Sequence, residues 1–383
     1  MKFADLNQDS IIITGAMSGT SLDGIDFCTV KFNTRFPPLQ FEILHQTSFS
    51  FPADLVLKLM SIAQNNRHST REFFQIEQSL TLAYSTGFSE HLKTLNAKPD
   101  CLAAHGQTIF HDPSQNELRG TWQILNGHFL AQKFDLLVIN QFRQADMAFG
   151  GQGAPLVPIF DKLVFEQFSP VAVLNIGGIS NVTLITEKNP VIAFDCGPGN
   201  MIIDYLMKNY FGSDFDDQGK IAAKGKVHSE VIQSTIKEAF FQLAPPKSTG
   251  RELFNSEWIE KWITHFPEST PAEDFISTAT DLTAFCIADS IIRFSEEVPS
   301  RVIVSGGGEK NTFLLERLKL HSGVMVESIK NYGIDPQFKE ALCFALLGFL
   351  TLTGKPGNIP SVTGANSEAV LGAIYLPPNK LFS

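Results

Sequence analysis

Asp195 is the residue of this chain best placed for acid–base chemistry. It follows an apolar run that predicts a buried strand, and the Pro198-Gly199-Asn200 sequence after it predicts the start of a helix. Open α/β sheets bind their ligands at the carboxyl ends of strands, so a carboxylate at this place is a candidate general base. Aspartates also serve as turn and capping residues, and the local sequence leaves that alternative open.

Three glycine-containing turns each follow a predicted buried strand. They comprise residues 15–26, residues 175–181 and residues 305–308. Backbone N–H groups in such turns converge on anions, and in the first turn Asp23 and Asp26 could hold a magnesium ion through water. One turn alone is weak evidence, and the first also fits an ordinary hairpin with Asp-Gly at its tip. Together the three predict a nucleotide site, with two turns on the phosphates and the third near the adenosine.

Loops after other predicted strands concentrate hydrogen-bonding side chains. These loops are residues 105–108 with His105, residues 142–146 with Arg143, and residues 150–155. A sugar demands many directional donors and acceptors, so the loops suit a carbohydrate ligand. For an isolated histidine or arginine, a structural hydrogen bond is the simpler interpretation. The histidines show no spacing typical of metal ligands, which argues against a metalloenzyme.

The elements that must position these groups occur in an order that repeats. Strands are predicted over residues 11–17, 25–32 and 41–45, and again about 160 residues later over residues 171–175, 182–186 and 191–195. Further patterns predict helices over residues 201–211, 279–294 and 337–352, and a strand over residues 301–304. The repeat predicts an α/β protein with two similar domains.

Composition excludes several classes of protein. With 30 Lys+Arg against 40 Asp+Glu, the formal net charge is -10, and no basic run could follow a nucleic-acid backbone. The apolar segment at residues 341–352 is shorter than the roughly 20 residues that a bilayer requires. The five cysteines are scattered, and no basic, signal-like region opens the chain. We therefore expect a soluble, cytoplasmic protein without nucleic-acid or membrane partners.

The motifs together resemble one family, the anhydro-N-acetylmuramic acid kinases of the actin-like sugar-kinase superfamily. The matching segments run through the chain in the family's order: residues 17–26 (MSGTSLDGID), 105–108 (HGQT), 150–158 (GGQGAPLVP), 175–181 (NIGGISN), 194–200 (FDCGPGN), 246–252 (PKSTGRE), 305–311 (SGGGEKN), 340–345 (EALCFA) and 363–365 (TGA). The first and third of these segments are the most specific.

The resemblance implies two similar actin-like, ribonuclease H-like domains flanking a nucleotide cleft, which we expect at residues 1–168 and 169–383. It implies ATP with Mg²⁺, an anhydrosugar substrate from peptidoglycan and a homodimer. The implied catalytic residues are Asp195 as base and Glu340, and His105 and Arg143 are implied near the sugar. The implied nucleotide-binding residues are Gly19, Thr20, Ser21, Leu22, Asp23, Gly24, Ile25, Asp26, Gly177, Gly178, Gly306, Gly307 and Gly308. The residues that would hold the metal remain unassigned.

Two positions depart from the family's pattern. Gln141 stands where the family usually has Asp before Phe-Arg, and Leu125 stands where it usually has Gly after Gln-Ile. Both belong to the region expected to shape the sugar pocket or to lie behind it. Two alternatives therefore stay open: a kinase of a simpler anhydrosugar, and a catalytically silent nucleotide- or sugar-binding protein on the same fold.

Overall fold

The structure is a computed structural model that describes residues 9–19, 22–35, 37–64, 66–114, 118–250 and 252–377. The strands are β1 Ser10–Met17, β2 Gly24–Asn33, β3 Phe41–Ser50, β4 Cys101–Ala104, β5 Gln107–Asp112, β6 Gly120–Ile124, β7 Leu137–Asn140, β8 Val171–Ile176, β9 Ile179–Ile185, β10 Ile192–Pro198, β11 Arg301–Ser305, β12 Met325–Ser328 and β13 Ala373–Tyr375. The helices are α1 Ala53–Ala63, α2 Thr70–Thr94, α3 Gly127–Phe134, α4 Phe142–Ala148, α5 Val157–Phe165, α6 Met201–Phe211, α7 Ser229–Thr235, α8 Ala239–Gln242, α9 Ser256–Ile263, α10 Ala272–Phe294, α11 Thr312–Ser322, α12 Lys339–Leu352 and α13 Pro360–Thr363.

The chain folds into two compact units. The first contains Met1–Phe160 and Gln337–Ser383, and the second contains Asp161–Pro336. This division differs from the expected domains at residues 1–168 and 169–383, because the C-terminal segment returns to the first unit. There α12 packs over β1, and a side chain at Gly15 would collide with the backbone of Ala341. Glycine at this position therefore lets the C-terminal helix approach the first strand.

The two sheets have the same topology. In the first unit, β1 pairs antiparallel with β2, β2 pairs antiparallel with β3, and β1, β4 and β7 run parallel. In the second unit, β8, β9 and β10 repeat the antiparallel pairs, and β8, β11 and β12 run parallel. β13 extends the first sheet at the edge of β7. The α/β class with two similar actin-like domains, predicted from the repeat and the resemblance, is confirmed.

Apolar packing fixes each sheet in place. Under the first sheet, Phe27 of β2 stacks on Phe88 of α2, whose N-terminus carries a capping box between Ser69 and Glu72. In the second unit, the apolar face of β8 and β11 packs against α10. The strands packed in these cores carry candidate residues at their ends.

Helix α10 is the one helix in the described residues that is long and apolar enough to cross a membrane. It has 23 residues, and 83% of its most apolar window is buried inside the protein. Its neighbours are α6, α11 and β10 of the second unit, so it serves as a core helix there. The helix begins at Ala272, seven residues before the predicted start at residue 279.

Candidate functional site

Three predicted segments converge in the second unit around Asn200. Its side-chain amide donates to the carbonyl oxygen of Ile176 at 3.3 Å, and its backbone N–H donates to the carbonyl oxygen of Gly177 at 2.8 Å. A side chain placed on Gly307 would lie 3.7 Å from the same amide. The turns at residues 175–178, 198–201 and 305–308 therefore form one cluster at the ends of β8, β10 and β11. The position of Asn200 predicted that its side chain would cap α6, but the side chain makes no capping hydrogen bond.

The glycines of this cluster differ in why the fold needs them. A Cβ atom on Gly306 would lie 2.7 Å from the carbonyl oxygen of Ile176, and one on Gly308 would collide with the Ile176 side chain. By contrast, a Cβ atom on Gly177, Gly178 or Gly307 would meet its nearest neighbour at 3.6, 3.8 or 3.7 Å, which is ordinary contact. Folding explains Gly306 and Gly308, whereas Gly177, Gly178 and Gly307 keep open the space beside the turns.

Asp195 lies at a bulge in β10, where the pairing with β9 shifts before Gly197. Its Oδ2 atom accepts a hydrogen bond from the backbone N–H of Thr249 at 2.8 Å, and its own N–H donates to the carbonyl oxygen of Lys247 at 3.0 Å. Its Oδ1 atom accepts no hydrogen bond from any described residue. Burial raises the pKa of this carboxyl, and Glu252 adds to the rise, whereas Thr249 and Lys247 oppose it.

One anchored oxygen and one open oxygen suit a general base. The anchored atom fixes the orientation of the carboxylate, and the open atom has lone pairs for a proton. A raised pKa makes the carboxylate a stronger base than an exposed aspartate. Asp195 does not cap α6, and the hydrogen bond that its side chain makes within the described residues is with the loop at Thr249. Its role as a base stays a prediction.

The first predicted phosphate turn is described only in part, since Thr20 and Ser21 lie outside the described residues. Leu22 has φ 59°, a left-handed backbone conformation that is uncommon for leucine, and its N–H donates to the carbonyl oxygen of Gly19 at 3.3 Å. The same oxygen accepts from the amide of Gln107 at 3.2 Å. Such constrained backbone is typical of functional turns.

The remaining members of this turn have structural roles that limit their part in binding. The side chain of Ile25 is 1% exposed and packs in the core, and Leu22 is also buried. Gly24 lies so close to β3 that a side chain there would collide with the carbonyl oxygen of Phe49. Asp23 is exposed. A ligand at this turn would therefore meet backbone groups and polar side chains rather than Ile25.

Asp26 and Glu340 are two acidic candidate residues of the first unit. Asp26 accepts hydrogen bonds from Ser48 and from Gln337, whose Nε2 atom also donates to Ser48 at 2.8 Å. The Glu340 side chain is accessible to solvent, yet the surrounding protein partly desolvates its carboxyl group. This desolvation raises the pKa of Glu340, with a smaller contribution from Asp26, while Arg143 and Lys339 oppose the rise. Glu340, expected in the second domain, thus belongs with Arg143 in the first unit.

His105 and Arg143 form a direct contact. Arg143 donates from Nε to His105 Nε2 at 3.0 Å and from Nη1 to the carbonyl oxygen of Gly153 at 2.9 Å. Its Nη2 atom has no hydrogen-bond partner among the described residues. Burial first, and the Arg143 charge second, hold the pKa of His105 well below its usual range. The arrangement presents a fixed guanidinium edge, near Glu340, that suits an oxygen-rich ligand.

Asp146 organises the loop behind Arg143, a role that sequence reasoning missed. It is fully buried and accepts hydrogen bonds from Gly153 N–H at 2.7 Å, Asn358 Nδ2 at 2.7 Å and Thr363 Oγ1 at 2.6 Å. A side chain on Gly151 would collide with it. The small residues of the GGQGAP and TGA segments are the sequence signal for this role, because a buried carboxylate can approach them closely.

The two departures from the family's pattern occupy different surroundings. Gln141 has φ 60°, donates from Nε2 to the carbonyl oxygen of Gln123 at 3.1 Å, and accepts from Gln144 at 2.7 Å. Leu125 is 4% exposed, and a side chain on Gly106 would lie 3.2 Å from its Cβ atom. Gln141 is therefore a polar residue one position before the helix that carries Arg143, whereas Leu125 is a core residue.

The acidic residues of the described chain suit a magnesium ion that is bound together with a nucleotide. In the described parts of the chain, no three His, Cys, Asp or Glu side chains form a group that could hold a metal. Mg²⁺ bound with nucleotides commonly takes one or two carboxylates, with phosphate oxygens and waters completing the shell. Asp26 in the first unit is a carboxylate of that type, so the residues fit a nucleotide-bound Mg²⁺ but not a protein-only metal site.

Fold and site together define a duplicated actin-like α/β protein with open glycine turns and a carboxylate anchored at a strand end. The profile of the anhydro-N-acetylmuramic acid kinase family matches residues 11–377. The anhydro-N-acetylmuramic acid kinase of Hahella chejuensis is 40% identical over 374 residues, covering 96% of this chain and 99% of the relative. That of Pasteurella multocida is 35% identical over 375 residues, covering 97% and 98%. The chain belongs to the anhydro-N-acetylmuramic acid kinase family.

A solved xylulose kinase from Lactobacillus acidophilus overlaps 96% of this chain and 94% of its own chain, with 10% identity and a TM-score of 0.47.

Proposed function

We propose that this protein is an ATP-dependent kinase that converts 1,6-anhydro-N-acetylmuramic acid and water to N-acetylmuramic acid 6-phosphate during recycling of cell-wall sugars. Membership of the family supports the kinase activity and the sugar class, since the relatives carry that activity in their names. The observation that carries the hydrolytic part is Asp195, with one oxygen anchored by Thr249 and the other open.

The reaction couples two bond changes at opposite ends of the anhydro bridge. A water oxygen attacks C1 of the sugar, its proton passes to Asp195, and the C1–O6 bond breaks. The released O6 attacks the γ-phosphorus of ATP, and the bond to the ADP oxygen breaks. A glycosidase needs a second carboxyl group to protonate its leaving oxygen, whereas here phosphoryl transfer can trap that oxygen. The products are the sugar 6-phosphate, ADP and the proton on Asp195.

The other residues bind and orient. We assign the backbone of Gly177 and Gly178 to the phosphates of ATP, because a Cβ atom on either glycine would meet its nearest neighbour only at ordinary contact distance. We assign the backbone of residues 19–26 to the phosphates as well, as the family resemblance implies. Gly307, between Gly306 and Gly308, belongs to the adenosine side. Asp26 is the candidate carboxylate for Mg²⁺, which when bound spreads the charge of the transferred phosphoryl group. The open Nη2 atom of Arg143, held by His105, orients the sugar together with Glu340.

The test is nucleotide turnover with and without an anhydrosugar. ADP formation should be close to background with ATP and Mg²⁺ alone and should rise strongly when 1,6-anhydro-N-acetylmuramic acid is added. Free N-acetylmuramic acid, which lacks the anhydro bridge, is the matched control and should not support turnover. Equal turnover with both sugars would indicate a kinase of a free hydroxyl, and binding without turnover would indicate the silent alternative.

Two further properties belong to the proposal. We propose a homodimer, as the family resemblance implies, which sedimentation or light scattering would detect as twice the 42.3 kDa chain mass. We also propose a cytoplasmic location, which the five free and buried cysteines support because thiols persist in a reducing compartment.

A further inference from the structure

Tyr84 of α2 places a hydroxyl group inside the core of the first unit. Its side chain is fully buried, and its ring packs edge-on against that of Phe27, with 6.5 Å between the ring centres. A buried tyrosine hydroxyl requires a hydrogen-bond partner, whereas a phenylalanine would fill the same space without that requirement. The partner is Ser18, whose Oγ atom lies 2.8 Å from the Tyr84 oxygen. The hydroxyl group therefore calls for an explanation other than packing.

Ser18 links this hydroxyl group to the loop that carries His105. Its Oγ atom donates to the carbonyl oxygen of Gly106 at 3.0 Å. A serine hydroxyl has a single proton, so Tyr84 must be the donor in its contact with Ser18. Burial raises the pKa of Tyr84, which keeps this proton in place. Ser18 and Gly106 are buried as well, so these hydrogen bonds are shielded from bulk water.

The carbonyl oxygen of Gly106 accepts a second hydrogen bond, from His105 Nδ1 at 2.9 Å. The other ring nitrogen of His105 accepts from Arg143 Nε at 3.0 Å, since arginine can only donate. Gly106 has φ 77°, a backbone conformation that favours glycine. A continuous chain of hydrogen bonds thus joins five residues: Tyr84, Ser18, Gly106, His105 and Arg143.

A second contact joins the same two segments one residue further along each of them. Gln107 donates from Nε2 to the carbonyl oxygen of Gly19 at 3.2 Å, and the N–H of Leu22 donates to that oxygen at 3.3 Å. The loop at residues 105–107 therefore holds the start of the first predicted phosphate turn at two adjacent residues, Ser18 and Gly19. The chain from Tyr84 lies within the predicted binding segments rather than apart from them.

We propose that Tyr84 is a positioning residue for the reaction: through Ser18 and Gly106, its hydroxyl group fixes the His105 ring that holds Arg143. This inference rests on the proposed function, in which Arg143 orients the sugar. Hydrogen bonds in a buried network polarise and support one another, so loss of the terminal donor loosens the groups that follow it. Because Tyr84 is fully buried, it acts through these neighbours and not by contact with the sugar.

The experiment is a double-mutant cycle on the KM for the sugar. Tyr84→Phe keeps the ring and removes the hydroxyl group, and it should raise this KM about three-fold or more while kcat changes less. The double variant Tyr84→Phe/His105→Gln should match His105→Gln within about two-fold, because Tyr84 acts through His105. Exposed Tyr210 provides the matched control: Tyr210→Phe should leave the KM unchanged, alone and combined with His105→Gln.

Proton NMR gives a second measurement that does not depend on turnover. The Nδ1–H proton of His105 should give a slowly exchanging resonance in the parent, which His105→Gln removes and so assigns. Tyr84→Phe should shift this resonance or broaden it by faster exchange with water, and Tyr210→Phe should not.

A structural role alone predicts a different pattern. In that case the KM effects of Tyr84→Phe and His105→Gln would be independent, or the His105 resonance would stay unchanged in Tyr84→Phe, and either result overturns the proposal. Ser18→Ala breaks the same chain and replaces Tyr84→Phe if that variant does not fold. Failure of both variants to fold would assign the hydroxyl group to folding and also overturn the proposal. Absence of sugar-dependent turnover in the parent would instead refute the proposed function, while the resonance still tests the chain from Tyr84 to His105.

Discussion

Arg143 Nε donates to His105 Nε2 at 3.0 Å, and this contact defines the chemical state of the histidine. Because Nε2 is the acceptor, the proton lies on Nδ1, which donates to the carbonyl oxygen of Gly106 at 2.9 Å. Both ring nitrogens are therefore used, and the low pKa of His105 keeps the ring neutral. His105 thus supports Arg143 rather than exchanging protons with the substrate.

This state predicts the effect of His105→Gln. The substitution should raise the KM for the sugar about ten-fold or more, because Arg143 loses a fixed partner, and should leave the acidic limb of the pH profile unchanged. Steady-state kinetics from pH 5 to pH 9 would check both effects. Exposed His265 provides the matched control, since His265→Gln should change neither quantity. A limb that disappears in His105→Gln would show that His105 itself titrates during the reaction.

Asp195→Asn should remove sugar phosphorylation while ATP affinity stays within a few-fold of the parent. Asparagine preserves the acceptor for Thr249 N–H but cannot take a proton from water, and loss of a general base costs about 100- to 10,000-fold in rate. Single-turnover assays and nucleotide titration would measure the two effects. Asp214→Asn, at an exposed pair with Lys208, is the control. Near-parental turnover in Asp195→Asn would remove Asp195 from the mechanism.

Gly178→Val should weaken ATP binding by about ten-fold or more without unfolding the protein. A Cβ atom there meets only the Met201 Cβ atom at 3.8 Å, so the fold has room for the new side chain. A phosphate bound beside the turn would collide with that side chain. Isothermal titration with ATP and Mg²⁺ would measure the loss, and circular dichroism would verify folding. Gly120→Val is the control, because nothing lies within 4 Å of a Cβ atom there. Unchanged affinity in folded Gly178→Val would make the turn purely structural.

Sequence periodicity predicted the elements well where local signals dominate. Helix α6 runs from Met201 to Phe211 as predicted, and Gly212 ends it in the left-handed conformation. Helix α10 was predicted too short, because Ser277 and Thr278 are polar in type yet buried, so apolar periodicity does not extend through its first turns. The domain boundary was wrong for the C-terminal segment, since the return of α12 to β1 depends on contacts between residues more than 300 positions apart, such as Gly15 and Ala341.

At the candidate site, too, the sequence predicted local features but not tertiary contacts. Motifs located Asp195 and the glycine turns, because strand ends and turns have local signatures. They could not separate Gly307, which has open space, from Gly308, which packs on Ile176. Nor could they predict the backbone hydrogen bond between Asp195 and Lys247 or the hydrogen bond from Gly153 to Asp146, because these contacts depend on tertiary packing.

The buried Asp281 should make folding stability depend on pH. Burial opposes its ionised form, but hydrogen bonds from His321 and Arg317 prevail and lower its pKa. A lowered folded-state pKa means that its contribution is complete above about pH 4 and is lost as the pH falls through the folded value. Asp281→Asn should therefore reduce the free energy of unfolding by about 1–3 kcal/mol at pH 7, and by less in acid.

Urea unfolding of parent and Asp281→Asn at pH 7 and at acidic pH would measure this difference. Glu90→Gln breaks an exposed pair with Lys93 and should cost under about 0.5 kcal/mol at either pH. A difference for Asp281→Asn that stays constant between the two pH values would show that the carboxylate does not change its protonation on unfolding.

In oxygen-18 water, the product should carry the label at C1 and not at the phosphate. The label follows from water attack at C1, with O6 retained as the oxygen that receives the phosphoryl group. Mass spectrometry of the product and its fragments would locate the isotope, and incubation of finished product in labelled water would correct for exchange at the anomeric carbon. Label on the phosphate would instead indicate water attack on ATP, and the coupled mechanism would fail.

The same reaction can measure substrate selectivity, and Gln141 is the residue that selectivity should depend on. We expect strong preference for the muramic sugar over an anhydrosugar that lacks the acetamido and lactyl groups. Each buried polar group of the protein that loses its partner on the smaller sugar costs about 1–3 kcal/mol.

Gln141→Asp restores the residue usual in the family but removes the Nε2 donor to the Gln123 carbonyl oxygen. If Gln141 contacts the sugar, this substitution should change the ratio of kcat/KM for the two sugars in competition. Leu125→Met, in the adjacent core, is the control and should leave the ratio unchanged. Equal use of both sugars by the parent would favour a kinase of simpler anhydrosugars, with Gln141 as the mark of an altered pocket.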